Sequence, residues 1–272
     1  MGLRVNTNVA SMTAQRNLGA VTGRLQGNFS RLASGLRIAT SADDAAGLGI
    51  SERMRSQIRS FAVARRNAQD GVSLTQTAEG SLQEVSNILG RMRELSVQAA
   101  NGTLSSNDRA TIDTEFGELI SEVDRIAAQT TFNGVQILDG SVATVSLQIG
   151  INAGETIAAA MQDVRGATLG INALQTDTAA NASAAITALD TAIGSVNTSR
   201  GTLGATQNRL TSAISSIANV RENLSAAESR IRDVDVAVET ADLTRNTILQ
   251  QASTSILAQA NSQSQLALSL LQ

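Results

Sequence analysis

The stretch "ITALDTAIGSVNTSRGTLGATQNRLTSAISSIANVRENLSAAESRI", residues 186–231, decides the fold. Ile186, Leu189, Ile193, Val196, Arg200, Leu203, Gln207, Leu210, Ile214, Ile217, Arg221, Leu224, Glu228 and Ile231 follow one another at alternating steps of three and four. Such steps hold one stripe on one side of a helix. Kept up over more than six heptads, they predict a single rod about 65–70 Å long at 1.5 Å rise per residue. An average globular helix has only roughly 10–14 residues. The polar entries Arg200, Gln207, Arg221 and Glu228 are of the kind that sets register or faces a second partner in a coiled coil.

Two further stripes share this grammar. Leu82, Val85, Leu89, Met92, Ser96 and Ala99 lie on a helix predicted from about Ser56 to Ala100. Ile112, Phe116, Leu119, Val123 and Ile126 lie on the next, after the turn "NGTLSSND", where Ser105 and Asp108 have capping-box spacing. Together with Leu203, Leu210, Ile214 and Ile217 these stripes can bury one another as a helical rod. Nearer the start, Ala14, Leu18, Val21, Leu25, Asn28 and Leu32 are spaced 4-3-4-3-4, which supports another coiled-coil-like helix.

A different texture separates the acidic helices from the long rod. "TTFNGVQILDGSVATVSLQIGINAGETI" carries an Asn133-Gly134 turn signal, and Val145, Leu147 and Ile149 alternate with Thr144, Ser146 and Gln148. Both features predict β-hairpins. Residues 161–183, rich in Gly, Thr, Ala and Asn, read as a connection into the rod. The adjacent Asp43-Asp44 before "AAGLGI" fits a helix start, where carboxylates favour the dipole.

The expected fold is therefore mainly α: long coiled-coil-like helices from both chain ends packed antiparallel, with a small β-hairpin region mid-chain. The segments are an N-terminal helix over 1–40, a short spoke over 41–55, and a rod with two helices and hairpins over 56–182. A long rod helix over 183–232 and a final helix over 233–272, pairing with 1–40, complete the chain.

Composition narrows the chemistry. The 272 residues include no His, no Cys and no Lys, all 21 basic residues being Arg. This removes the imidazole base, the thiolate nucleophile, the Schiff-base amine and the soft zinc ligands, so neither an enzyme nor a cofactor or metal site is expected. Aromatic residues make up 1% and proline is absent. Thin cores and very long helices follow. Residues 1–66 hold ten arginines against three carboxylates, whereas residues 67–200 hold six against fifteen. With no lysine-rich cluster or stacking aromatic beside the basic third, nucleic acid is not an expected partner. No run reaches the roughly 20 apolar residues of a membrane span, and the start lacks a cleavable signal's apolar stretch.

The last residues pose a separate problem. Leu266, Leu268, Leu270 and Leu271 crowd an uncharged end. Residues 248–272 contain too few large apolar side chains, at about 2 kcal/mol each, to offset roughly 1–2 kcal/mol of ordering cost per residue. The tail is expected to order fully when neighbouring copies cover it.

Five collinear phrases carry a family resemblance. Val5-Asn6-Thr7-Asn8, "RLASGLRIATSADDAAGLGISERM" (31–54), "RMRELSVQAANGT" (91–103), "TTFNGVQILDG" (130–140) and "ILQQASTSILAQAN" (248–261) closely resemble bacterial flagellin over nearly the whole chain. The resemblance implies copies joined by an open screw operation into the hollow filament of the bacterial flagellum, used for swimming. It implies an inner assembly domain, with Leu18, Val21, Leu25, Leu32, Ile256, Leu257, Leu266 and Leu270 as its candidate residues. The outer domains of larger members are missing, so a slim filament is expected.

The same resemblance implies unfolded export through a type III apparatus to the outside of the cell, and a chaperone on the C-terminal segment. Filament cap and hook-junction proteins are implied as further partners. So is the vertebrate Toll-like receptor for flagellin, through Arg91, Leu95 and Glu115; Gly90 stands where the family often has Gln. Two other readings share some of these features. A chemotaxis-receptor signalling domain would show a symmetric helical hairpin and a membrane anchor, and a hook-filament junction protein would diverge in the middle of the chain.

Overall fold

Ser105 starts the second rod helix by closing a capping box: its Oγ accepts from the Asp108 amide at 3.3 Å while Asp108 Oδ2 accepts from the Ser105 amide at 3.0 Å. Both donors would otherwise be orphaned at the helix end. In the computed structural model, residues 7–269 are described, with side chains described through residue 263. The elements run α1 (Val9–Ser34), α2 (Ala45–Ala99), α3 (Ser106–Gln129), β1 (Thr131–Phe132), β2 (Val135–Gln136), β3 (Thr144–Gln148), β4 (Thr156–Ala160), α4 (Gly166–Leu169), α5 (Ala179–Arg232) and α6 (Val236–Ser269). They form two compact units. One takes the chain up to Ser56 and from Asn223 onward, and the other takes Gln57–Glu222.

In the second unit, α2 buries Leu82, Val85, Leu89, Met92 and Leu95 against Ile112, Phe116, Ile120 and Val123 of α3 and Leu189 and Val196 of α5. Ser96 is fully buried in the same stripe, and its hydroxyl is satisfied by the Met92 carbonyl at 2.9 Å. On α3 the buried line passes through Ile120 and Ala127, with Leu119 and Ile126 only partly covered at its flank. A straight helix turning 3.6 residues per turn drifts from a strict heptad, which moves the contact line one residue along.

The α5 stripe is also shifted. Its deepest positions are Ala182, Ala185, Leu189, Ala192, Val196, Leu203 and Leu210, whereas Ile193 and Ile214 are partly buried beside them. Alanine at the closest approach lets helix axes draw together, so the larger isoleucines move to the flank.

Two expected boundaries change. α2 starts at Ala45, not near Ser56, so only the first residues of the expected spoke form a turn. Asp44 Oδ1 caps it by accepting from the Gly47 amide at 2.8 Å, and Asp43 Oδ2 holds the Ala39 and Thr40 amides. The expected connection over 161–183 is a structural part of the core. Met161, Val164, Leu169 and Ile171 are buried, and two α3 carboxylates tie the segment down. Asp124 Oδ1 accepts from the Gly166 amide at 2.7 Å, and Asp113 Oδ1 accepts from the Thr176 amide at 2.6 Å.

The hairpins follow their turn chemistry. Asn133 and Gly134 both have positive φ, 50° and 78°, the mirror-image turn that matches strand twist. They pair Thr131 with Gln136 and Phe132 with Val135. β3 and β4 are antiparallel, Thr144 opposite Ala160 and Gln148 opposite Thr156. Their buried Ile157 packs with Ala68 and Leu210.

Candidate assembly interface

The first unit is built on the pairing of α1 with α6. α1 contributes Ser11, Ala14, Val21, Leu25 and Asn28 as buried residues, with Leu18 and Leu32 half-buried. From α6 come Glu239, Asn246 and Ala260 as buried residues, with Leu243, Gln250, Ser253 and Leu257 half-buried. Both series keep steps of three and four, the spacing of a coiled-coil seam.

Polar contacts fix the antiparallel register. Asn8 Nδ2 donates to the Ala260 carbonyl at 2.7 Å, and Ser11 Oγ to Asn261 Oδ1 at 2.8 Å. Deeper in, Asn246 Nδ2 donates to Asn28 Oδ1 at 3.2 Å. At the far end Arg31 stands 3.7 Å from Glu239, whose buried Oε1 takes no hydrogen bond among the described residues.

The corner between α5 and α6 is clamped to the end of α1. Gly35 ends α1 with φ 71°, a conformation glycine adopts without steric cost. Beyond it the Arg37 amide donates to the Arg232 carbonyl at 2.7 Å, and the Val234 amide to the Gly35 carbonyl at 3.0 Å. The largely buried Arg232 guanidinium donates to Glu52 at 2.5 Å. That hydrogen bond, with Arg55 nearby, holds the Glu52 carboxyl below the usual carboxylate range.

α6 is inverted relative to an ordinary amphipathic helix. Glu239, Asn246, Gln250 and Ser253 line its side of the seam beside Leu243, Leu257 and Ala260, whereas Val236, Val238, Ile248, Leu249 and Ile256 face solvent, Ile256 at 61% exposure. α1 adds the exposed Val9, Met12 and Phe29. Of the expected assembly residues, Val21 and Leu25 sit inside the pair, Leu18, Leu32 and Leu257 on its edge, and Ile256 outside it. Leu266 and Leu270 lie outside the residues whose side chains are described. Asn28 was legible as a polar entry in a stripe; nothing in the sequence marked Asn246 as its partner, or Asn261 as the partner of Ser11.

The receptor-type residues separate. Arg91 donates to Glu115 through Nε and Nη2 at 3.1 and 2.8 Å and to Glu94 at 3.3 Å, and the Glu115 carboxylate raises its pKa further. Leu95, however, is 2% exposed and belongs to the core. Only the Arg91–Glu115 pair is presented at the surface. Among the described residues no group of three or more metal-ligating side chains comes together, and no helix is long and apolar enough to cross a membrane.

Comparison with known proteins gives a consistent result. Residues 5–143 match the bacterial flagellin N-terminal helical region and residues 186–271 the bacterial flagellin C-terminal helical region. A flagellin of Halalkalibacterium halodurans is 48% identical over 274 residues, covering 98% of this chain and 99% of that one. A flagellar filament 30.7 kDa core protein of Treponema maltophilum is 45% identical over 282 residues, covering 98% of this chain and 99% of its own. The crystal structure of Bacillus cereus flagellin shares 36% identity with a TM-score of 0.52, covering 60% of this chain and 94% of that one.

Proposed function

This chain belongs to the bacterial flagellins, and from that premise we propose how it works as the self-polymerising structural subunit of a flagellar filament. The observation that carries the reading is the inverted α6. Nine of the thirteen large apolar side chains exposed among the described residues fall in the smaller unit built on α1 and α6. Each is worth roughly 1 kcal/mol when neighbouring copies remove its exposed part from water. The free α1–α6 pair, whose seam mixes apolar side chains with Ser11, Asn28, Glu239, Asn246, Gln250 and Ser253, opens readily, and the filament holds it closed.

The subunit has a structural role and no catalytic one, and it acts outside the cell after export in an unfolded state. An apolar stripe of this size is an aggregation liability before assembly, which suits a chaperone on residues 248–271. The filament cap and hook-junction proteins would meet the same terminal surfaces. The exposed Arg91–Glu115 pair is the part offered to the vertebrate Toll-like receptor for flagellin, with Leu95 supporting it from below.

Seeded assembly of the purified chain, followed by electron microscopy, tests the central reading. Filaments are expected from the full chain and none from a chain lacking residues 240–272. Equal assembly by the truncated chain would refute it. Fast amide exchange over residues 240–269 in the free subunit, slowed in the filament, is the expected sign of ordering on assembly.

A further inference from the structure

Two Asn-Gly pairs occur in the chain, Asn101-Gly102 and Asn133-Gly134. In this dipeptide the asparagine side chain is open to attack by the main chain, because glycine puts no Cβ beside the attacking nitrogen. Both pairs are exposed, but their surroundings differ.

Asn101 lies in the turn between α2 and α3. Its Oδ1 accepts from the Thr103 amide at 3.2 Å. Its main-chain carbonyl accepts from Arg109 Nη2 at 2.8 Å and from the Leu104 amide at 3.4 Å. Arg109 is itself fixed, since its Nε donates to the Ala99 carbonyl at 2.8 Å. The Gly102 amide donates to no acceptor among the described residues, and a Cβ added at Gly102 would meet nothing within 4 Å. At the other pair, Asn133 Oδ1 takes no hydrogen bond from a described residue. Asn133 and Gly134 are locked there in the positive-φ turn that Phe132 and Val135 close.

The contacts around Asn101 fall on the atoms of one reaction. Closing a five-membered ring requires the Gly102 nitrogen to lose its proton and bond to Cγ of Asn101. The Arg109 guanidinium polarises the carbonyl of that same peptide group by a charge-assisted hydrogen bond, which makes its N–H more acidic. The Thr103 amide points at Oδ1, where negative charge develops as Cγ becomes tetrahedral, the task of an oxyanion donor. Nucleophile and electrophile sit on adjacent residues, so no encounter has to be arranged.

We propose that Asn101 is a self-modification site, at which the α2–α3 turn promotes cyclisation onto Gly102 and hydrolysis to aspartate and isoaspartate. The bond from the Gly102 nitrogen to Cγ forms as the amide proton passes to water. The Cγ–Nδ2 bond then breaks, and Nδ2 takes a proton from water and leaves as ammonia. Water next opens the cyclic imide at either carbonyl. Opening at Cγ gives aspartate; opening at the main-chain carbon gives isoaspartate, whose backbone runs through the former side chain. The net change consumes one water, releases one ammonia and involves no oxidation. It puts a carboxylate beside Arg109 in place of a neutral amide.

Peptide mapping by mass spectrometry of the full chain, held in neutral buffer over a time course, tests the site. Asn101 should convert about tenfold faster than Asn133, with isoaspartate among the products and ammonia released in step. Arg109→Ala should slow conversion at Asn101 about tenfold, through loss of one charge-assisted hydrogen bond. A merely structural role for Arg109 would act in the opposite direction, because a looser turn lets Cγ reach the Gly102 nitrogen more often. Gly102→Ala, which the open space at Gly102 accommodates, should slow conversion as well. Conversion at Asn101 no faster than at Asn133, or an Arg109→Ala chain that reacts as fast as the parent or faster, would overturn the proposal.

Discussion

The carboxamides of Asn28 and Asn246 meet inside the α1–α6 seam, Nδ2 of Asn246 donating to Oδ1 of Asn28 at 3.2 Å with both residues less than a tenth exposed. A buried amide pair among apolar positions costs stability and fixes register. Asn246→Ala should therefore weaken the pair by about 1–3 kcal/mol, the cost of leaving one amide unsatisfied, read as earlier loss of helicity in urea. The double variant Asn28→Leu/Asn246→Leu should be at least as stable but slip in register. Disulfide yield from Ser11→Cys/Asn261→Cys, at positions that touch at 2.8 Å in the parent, should drop in that background.

Gly71 sits where the β3–β4 hairpin presses on α2. An added methyl group would come within 2.3 Å of Leu147 and 3.2 Å of Leu210. Alanine gains about 1 kcal/mol of helix propensity, but overpacking costs about 1–3 kcal/mol. Gly71→Ala is expected to lower the melting temperature. Gly117→Ala on α3 meets nothing within 4 Å, so it should stabilise by about 0.5–1 kcal/mol. The two substitutions should move the melting curve in opposite directions.

The displaced α3 contact line gives a direct comparison. Ile120 is 8% exposed and lies in the core, whereas its neighbour Leu119 packs only partly against it. Ile120→Ala should cost about 2–5 kcal/mol, and Leu119→Ala distinctly less. Equal costs, measured by denaturant unfolding, would place the contact line midway between them.

Asp163 anchors the turn before α4. Its carboxylate takes hydrogen bonds from the Arg165 guanidinium at 3.0 and 2.7 Å and from the Thr168 hydroxyl at 2.6 Å. The Arg165 hydrogen bond leads in holding this carboxyl far below the usual range, against the opposing effect of burial. A carboxyl depressed in the folded state adds stability that is fully present above its unfolded pKa of about 3.9 and is lost as pH falls through the lower folded value. Asp163→Asn should lower stability near neutral pH by about 1–3 kcal/mol. Melting temperatures of parent and variant should begin to approach each other as pH falls below about 3.9 and go on converging towards the much lower folded pKa.

Legibility in the sequence followed periodicity and local chemistry. The α2 stripe, the Ser105–Asp108 cap and the Asn133-Gly134 turn were readable because each is decided within a few residues. The helix start at Asp43-Asp44 was readable too, and Asp44 caps it; its unbroken run past Ser56 to Ala99 was not, because no local signal says that the short spoke and the rod helix are one element. Residues 161–183 looked like a linker by composition, yet Gly166 and Thr176 within them are held by Asp124 and Asp113 of a distant helix, which local reading cannot see. The same limit applied at the interface. The α6 side of the seam is half polar and five of its large apolar residues face outward, so apolar periodicity alone did not point to the intrachain partner.

The α1–α6 pairing joins residues as far apart in the chain as Asn8 and Ala260. No shorter piece of the polypeptide can make that contact, so it closes only after the final helix has emerged from whatever is delivering the chain. Residues Gln57–Glu222 form a compact unit of their own. The molecule therefore has a built-in order in time: its middle can be finished while both ends are still waiting for each other.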